Sequence, residues 1–494
     1  MKAVDRQYEP FLFVALFFIC GAFWLAAETG VFDDRLLLLA ASLIYVLSIG
    51  WMFISTVMNR IDQLSLFHVF ALMTSIFFSS KAFVAWDEAV TWPAPLSLYV
   101  WTLALSQIGL LSAWGGERWF GSYFPKATLS KGISRLGVNA NRKSVWAGFL
   151  LLIGIQLVAQ IVLYQAGLFL SQFGVLDTDR AYWITSLNML YPTLRLAVLG
   201  MAVVLTVKGG GTGRNFAKGV IAFEMFLAFI SSRAALFIAL MFVLTLMASL
   251  YAGTRFLRLH AWRAVILLFL AVGIAWPVYQ HVRFIATPFF ENNPNDDKIY
   301  AMVDVIIPEA VDTFNVASIY SSTSDYRTNV AVRLGGADFP AVILDAQNSG
   351  APFMYGGSMA SAILMIIPKF LFPGKIDANE EGEVIDHYGL EVTDHTSSPL
   401  GFALADFGVI GIIVYLFAFG VILKLFEIYL NSSATALTGL ISFALIFPAC
   451  VSIEGDLTAI FAILRIWLVV IIVGKIIPND ASTKVMIGGN LPHR

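Results

Sequence analysis

Two acid–histidine pairs stand in one polar stretch of an otherwise apolar chain. Asp386–His387 and Asp394–His395 lie between Pro368 and Ser398. Histidine is the only side chain whose unperturbed pKa lies between about pH 5 and 8, so each can take a proton from a hydroxyl group as a general base. His395 is the first candidate catalytic residue, followed by Asp394 and His387. The alternative for either pair is a local turn in which Asp caps a Ser or Thr.

Arginines form the second candidate set. Arg195 and Arg465 fall inside apolar stretches, and Arg233 and Arg283 stand at the ends of such stretches. An arginine at the bilayer centre costs about 2.5–3.5 kcal/mol on insertion scales, so it must face a partner or a wet cavity. A guanidinium presents a planar fork that matches phosphate oxygens. The predicted diphosphate-binding residues are Arg233, Arg283 and Arg333, followed by Arg327, Arg195, Arg465, Lys369 and Lys375.

The alternative role for these arginines is structural pairing. Few acids are available at that depth, namely Glu224, Asp406, Glu454 and Asp456. Metal chemistry is not expected, because the chain has no HExxH and no CxxC, and the spacing around its histidines matches no zinc pattern. No cofactor is expected either, since a GxxxxGK[ST] phosphate loop is missing from the sequence.

The composition requires a membrane protein. Hydrophobic residues make up 59% of the chain, charged residues only 13%, and the mean hydropathy is +0.79. Soluble domains carry about 25% charged residues, so this chain cannot cover a water-facing surface. The formal net charge of -2 does not point to a nucleic-acid partner.

The apolar stretches predict about twelve transmembrane helices, because a spanning helix needs about 17–25 residues. Most Lys and Arg residues fall in alternate connections, which places both termini in the cytoplasm by the positive-inside rule. The predicted spans are 11–27, 36–57, 64–84, 97–114, 145–166, 187–207, 218–232, 234–252, 264–284, 401–423, 433–451 and 457–476.

These spans divide an all-α polytopic membrane protein into three regions. Residues 1–284 form a bundle of nine spans, 285–400 a large outer loop with short or re-entrant helices, and 401–494 the last three spans with a cytoplasmic tail. Loops longer than about 12–15 residues are usually functional or disordered. The loop carries the candidate histidines.

The pattern resembles the Wzy-type oligosaccharide repeat-unit polymerases of the bacterial inner membrane, and the C-type glycosyltransferase architecture. The resemblance rests on "SSRAAL", on "GGSMASAILMIIPKFLFPGK" and on "TSSPLGFALADFGVIGIIVYLFAFG". The matching positions are Ser232, Arg233, Pro368, Lys369, Pro373, Lys375, Pro399, Gly401, Asp406, Gly408 and Gly411. Lys369 stands where the family more often has Arg, and no Pro follows Lys375.

The resemblance implies a glycosyltransferase that acts at the periplasmic face. A growing glycan leaves undecaprenyl diphosphate and is attached to a sugar hydroxyl of a lipid-linked repeat unit. The implied partners are this lipid-linked oligosaccharide, membrane lipids, a flippase and a chain-length regulator. O-antigen ligases share the predicted layout, and they are the nearest alternative. A polytopic transporter and a non-catalytic assembly partner are alternatives from other classes.

Overall fold

The computed structural model describes most of the helical bundle and part of the large loop. The described residues are 8–84, 92–124, 127–138, 143–166, 182–231, 233–251, 281–282, 285–286, 288–290, 292–293, 298–313, 336–364, 367, 380–390, 397–433, 436–451 and 457–476.

The regular elements of this described part are helices, and none of its residues lies in a β-strand. The helices in chain order are α1 Glu9–Glu28, α2 Asp34–Asn59, α3 Leu66–Ser79, α4 Leu96–Gly121, α5 Leu129–Val138, α6 Lys143–Gln165, α7 Tyr182–Lys208, α8 Gly211–Ser231, α9 Arg233–Leu250, α10 Lys298–Ala301, α11 Ile307–Thr313, α12 Asp338–Asn348, α13 Gly357–Leu364, α14 Glu380–Tyr388, α15 Pro399–Ser432, α16 Ala436–Val451 and α17 Leu457–Ile476. A π-helical turn, Met302–Ile306, joins α10 to α11.

Seven of the described helices are long and apolar enough to cross a membrane. They lie in α1, α2, α3 with the turn that follows it, α4, α6, α7 and α15, and the apolar parts of α9, α16 and α17 are shorter. This all-helical architecture is the one expected of a polytopic membrane protein. The count of twelve spans and the membrane orientation stay predictions, and most of the ninth predicted span lies outside the described residues.

The centre of the bundle is the contact between α4 and α15. Gly116 of α4 faces the carbonyl oxygen of Phe417, and Gly420 of α15 faces that of Ala113, so closely that a Cβ atom on either glycine would overlap that oxygen. Small residues let helix backbones approach in membranes, where close packing replaces the hydrophobic driving force. The two glycines therefore explain why these helices form the main interface.

Helix α15 starts at a cap and is interrupted soon afterwards. Ser398 accepts a hydrogen bond from the Gly401 N–H, and Pro399 occupies the first turn, where its missing N–H costs nothing. Phe407 (φ -143°, ψ 19°) and Gly408 (φ 61°, ψ -142°) then leave the helical conformation. Such a positive φ with this ψ suits glycine, so Gly408 fixes the position of the kink.

The described helices of the large loop cover one end of the bundle. Helix α12 packs against α4 and α15, and α13 packs against α14, α15 and α17. Helix α13 has eight residues and cannot span a membrane. The part of α15 after Gly408 and the next helix, α16, run in opposite directions, so α16 ends on the side of the bundle where Gly408 lies. We call this end, marked by Ser231, Asp338 and Gly408, the loop end.

Candidate functional site

Arg195 is buried in the middle of α7 and is bound by α8. Its Nε donates to Glu224 Oε2 (3.2 Å), and its Nη2 donates to the main-chain oxygen of Glu224 (3.0 Å). Its Nη1 donates to the Ser231 hydroxyl oxygen (2.8 Å), and the guanidinium carbon lies 5.8 Å from the centre of the Tyr191 ring. The arginine is thus held by the last two turns of α8, at the loop end.

Glu224 is the counterion, and it is anchored in turn. Gln156 of α6 donates from its Nε2 to Glu224 Oε1, while Arg195 occupies Oε2. The side chains of Arg195 and Glu224 are 10% and 3% exposed. Two buried charges need each other, because an isolated one would bear a large desolvation cost. The structure therefore shows the structural ion pair that was the alternative role for Arg195.

The pairing leaves part of the guanidinium unused. A guanidinium carries five N–H donors, and residues of the described chain accept from Arg195 at Nε, Nη1 and Nη2, once each. Each Nη therefore keeps one N–H that no described residue takes up. Two neighbouring donors of this kind form the fork that binds an anion with two contacts.

A cavity of about 220 Å³ lies beside this pair. Its walls come from α7, α8, α9 and α16, and its lining residues are Pro192, Arg195, Leu196, Leu199, Glu224, Ala228, Ala235, Ile238, Ala239 and Pro448. Ligand pockets usually measure about 300–1,000 Å³, so this cavity is sized for a small anionic group and not for a sugar chain. Arg195 and its counterion Glu224 are the two charged residues in this lining, and the other lining residues are apolar.

A second buried polar group fixes the loop to the kink of α15. Both oxygens of Asp406 are hydrogen-bonded: Oδ1 accepts from the Ser358 N–H (3.1 Å), while Oδ2 accepts from the Ser358 hydroxyl (2.6 Å), the Met359 N–H (3.1 Å) and the Tyr415 hydroxyl (2.7 Å). The Ser358 and Met359 amides belong to the first turn of α13, whose free N–H groups favour a carboxylate. Asp406 is therefore the cap of α13 and an anchor of the loop.

His387 is the described member of the predicted catalytic set. It lies exposed on α14, and its Nε2 is 2.9 Å from the Pro352 carbonyl oxygen. A carbonyl only accepts, so Nε2 must carry the proton, and Nδ1 is the basic nitrogen of the neutral ring. Nδ1 makes no hydrogen bond to a described residue. The ring of Tyr388 stands perpendicular to it, with centroids 4.8 Å apart.

Tyr388 connects α14 to the bundle. Its hydroxyl donates to the Ala405 carbonyl oxygen (3.0 Å) and accepts from Gln347 Nε2 (3.0 Å). Burial raises the pKa of Tyr388 above its ordinary value; the hydrogen bond from Gln347 opposes this shift, and the Asp406 carboxylate adds to it. The hydroxyl therefore stays protonated at neutral pH and keeps its bond to Ala405.

The structure places only some of the predicted site residues. Arg195 lies at the cavity, Arg465 is half-buried on α17, and His387 is on α14. Arg233 begins α9, next to the cavity-lining Ala235, but its side chain is outside the described part. Also outside the described residues are Arg283, Arg327, Arg333, Lys369, Lys375, Asp394 and His395. Their roles stay predictions.

Sequence reasoning missed one buried charge cluster at the loop end. Lys81 Nζ lies 2.6 Å from Asp338 Oδ1 and 2.7 Å from Oδ2, and the Tyr99 hydroxyl donates to Oδ1 (2.6 Å). Lys81 also lies over the ring of Trp92, 4.8 Å from its centre. The cluster joins loop helix α12 to α4 and the turn after α3. The partners Lys81 and Asp338 are 257 positions apart in the sequence, so local sequence spacing carries no signal of their contact.

A further buried polar network lies at the opposite end of the bundle. Lys424 of α15 is 3.0 Å from a Glu427 oxygen and 3.8 Å from a Glu117 oxygen of α4. His68 of α3 contacts Glu9 of α1 (3.2 Å) through Nε2. These contacts join four helices away from the loop, so we assign them to structural support.

Comparison with known proteins adds no family assignment. No family model, no curated protein and no solved structure matches this chain.

Proposed function

We propose that the chain is a polysaccharide polymerase of the bacterial inner membrane. It would transfer a growing glycan from undecaprenyl diphosphate to a sugar hydroxyl of a lipid-linked repeat unit, at the periplasmic face. The proposal joins the resemblance noted in the sequence to one feature of the structure, the Arg195 cavity. The loop end would be the periplasmic end, as the distribution of Lys and Arg predicts.

The observation that carries the proposal is the unused fork of Arg195. A lipid diphosphate places a compact, highly charged group at the membrane surface, next to an apolar chain. Arg195 lines this cavity with two N–H groups that no described residue takes up, and apart from Glu224 the other lining residues, from α7, α8, α9 and α16, are apolar. Arg233 begins α9, two residues before the cavity-lining Ala235, and its role as a further diphosphate-binding cation stays a prediction.

The fork would assist the chemical step as well as binding. Negative charge grows on the diphosphate as the glycosidic bond breaks, and donors already fixed in a low-dielectric site stabilise such charge without reorganisation. Arg195 is fixed by Glu224 and Ser231 before any ligand arrives. The acceptor hydroxyl would lose its proton to a loop base. His395 and Asp394 stay the leading candidates for this base, with His387 as the described one.

The test is glycan chain length in a strain that lacks the gene. The deletion strain is complemented with the wild type, Arg195→Lys or Glu224→Gln, and total polysaccharide is separated on gels. We expect single repeat units in place of long chains in the deletion strain, and strongly shortened chains with Arg195→Lys, because Lys keeps the charge but loses the fork. Normal chain length in the deletion strain would refute the polymerase proposal.

Lys424→Arg is the matched control, because it also exchanges one buried cation for another. Lys424 is paired with glutamates, like Arg195, but it lies at the opposite end of the bundle. If Lys424→Arg shortens chains as much as Arg195→Lys at equal expression, the effect reflects damage to the fold and not to the cavity.

The same strains separate the alternative functions. A ligase would leave full-length chains on the lipid carrier and none on lipopolysaccharide. A transporter would leave lipid-linked units inside the cell. The buried Arg195–Glu224 pair is the feature that favours a transporter, since ionisable residues deep in a membrane often mark a transport pathway.

A further inference from the structure

The loop contains a turn whose backbone does not suit its central residue. The Gly357 N–H donates to the Met354 carbonyl oxygen (3.1 Å), and the two residues between them, Tyr355 and Gly356, have φ of 52° and 91°. Positive φ at both central positions defines a type I′ turn, where Gly, Asn and Asp are favoured. Tyrosine is disfavoured there, because its Cβ crowds the backbone.

The surrounding chain holds this turn in place. The N–H groups of Met354 and Tyr355 donate to the carbonyl oxygens of Ala405 (2.9 Å) and Asp406 (3.0 Å), at the kink of α15. The Phe353 ring stands perpendicular to the Tyr355 ring, with centroids 6.3 Å apart. These bonds fix the backbone of the turn, and the Tyr355 residue on it is 73% exposed.

Polar groups of α14 lie close to the turn. The His387 ring donates to the carbonyl oxygen of Pro352, three residues before Tyr355, and its Nδ1 makes no hydrogen bond to any residue that the structure describes. Asp386 is exposed beside it, and Glu383 binds the Ser361 hydroxyl of α13 through both oxygens (2.9 and 2.7 Å). The turn thus carries an exposed aromatic ring, and α14, which is hydrogen-bonded to the chain three residues before that ring, carries an oriented imidazole and an exposed carboxylate.

We propose that Tyr355, His387 and Asp386 form a carbohydrate-binding subsite. One face of a pyranose ring is made of C–H groups, which stack on an aromatic ring, while its edge carries hydroxyl groups. The Tyr355 ring matches the face, and the His387 and Asp386 acceptors match the hydroxyl groups. Given the proposed function, on which this part rests, the bound sugar is the acceptor end of a repeat unit.

An alternative occupant of Tyr355 is the membrane itself, because tyrosines also line the interface of bilayers. The neighbouring helix argues against it. Helix α14 carries Glu381, Glu383 and Asp386, and acidic side chains are repelled by anionic lipid head groups. Tyr355 is held to this acidic helix through Pro352 and His387, so we place it in water.

Saturation-transfer NMR tests the subsite without any assay of polymerisation. The full chain in lipid nanodiscs is mixed with methyl glycosides of glucose, galactose, mannose, rhamnose, N-acetylglucosamine and N-acetylgalactosamine. We expect transfer to the ring C–H protons of at least one glycoside, retained in Tyr355→Phe and reduced at least 5-fold in Tyr355→Asn. Asparagine tolerates positive φ, so this variant should fold with an unfolding temperature at least equal to that of the wild type.

Tyr123→Asn is the matched control, because Tyr123 is 65% exposed and follows the other end of α4. It should leave the transfer unchanged. No transfer to any glycoside, or equal transfer in Tyr355→Asn and the wild type, would overturn the subsite. Because these readings do not depend on chain length, the subsite and the polymerase proposal can fail separately.

A spin label decides between sugar and membrane. Both native cysteines, Cys20 and Cys450, are buried, so Tyr355→Cys offers one accessible thiol for labelling. We expect the label to be relaxed by a water-soluble nickel complex and weakly by oxygen. Stronger relaxation by oxygen would place residue 355 in lipid, and the proposed subsite would then be an interfacial anchor instead.

Discussion

Replacing Glu224 by Gln should strengthen binding of a lipid diphosphate. Glu224 occupies one edge of the Arg195 guanidinium, and the proposed ligand would occupy another. Two anions on different edges lie about 7 Å apart, and at an effective dielectric constant of about 20 each pair of unit charges repels by roughly 2 kcal/mol. Gln removes this charge but keeps an oxygen that can accept from Arg195. We therefore expect binding to tighten about 30-fold.

Arg195→Lys should change the affinity in the opposite direction. Hydrogen bonds to charged groups contribute about 1.5–3 kcal/mol each. Lysine can replace one of the two donors that no described residue takes up, so the loss of the other should weaken binding about 10- to 150-fold.

Calorimetry with farnesyl diphosphate measures both changes. Farnesyl diphosphate is a short polyprenyl diphosphate, and farnesol serves as the probe without charge. The protein is held in nanodiscs, and the unfolding temperature of each variant is recorded. Opposite signs for Glu224→Gln and Arg195→Lys support an anion site at the cavity. If both variants weaken binding equally, or neither alters it, Arg195 and Glu224 form only a structural pair and the reasoning is wrong.

Three further predictions concern the fold. Asp338→Ala should destabilise the protein by about 3–5 kcal/mol, because Lys81 is left buried without its carboxylate. Thermal unfolding in detergent measures this loss, and the double variant Asp338→Ala with Lys81→Met should recover most of it. Gly116→Ala should lower the free energy of unfolding by about 1–3 kcal/mol by separating α4 from α15. Gly50→Ala is the control and should not destabilise, because its Cβ would meet no atom within 4 Å. Equal losses of stability in the two variants would contradict the close-contact argument. Asp406→Ala should release α13 and speed proteolysis of the loop at an unchanged bundle unfolding temperature, and an unchanged cleavage rate would show that other contacts hold the loop.

The sequence predicted the bundle better than the site. Long apolar runs predict where long apolar helices form. Helices α1, α2, α6 and α17 accordingly lie within a few residues of their predicted positions. Helix α15 extends well beyond its predicted end at 423. Its last turns carry Lys424 and Glu427, which pair inside the bundle, whereas a hydropathy argument treats charged residues as a boundary.

The site depends on contacts that sequence patterns do not encode. The sequence required Arg195 to face either a counterion or a cavity, and composition could not decide between the two. In the structure Arg195 has both. The partners Lys81 and Asp338 come from distant parts of the chain. Hydrogen bonds to the kink of α15 hold Tyr355 at a positive φ, and the residue types of the turn do not predict this conformation.

Two buried polar side chains, Asp406 and Lys424, hold α15 to its neighbours. Asp406 attaches one end of the helix to the loop, and Lys424 attaches the far end to α4 and to the chain before α5. The two anchors lie on either side of Gly408, where the helical conformation is interrupted. We therefore expect a movement of the loop to change the backbone at Gly408 before it displaces the rest of α15.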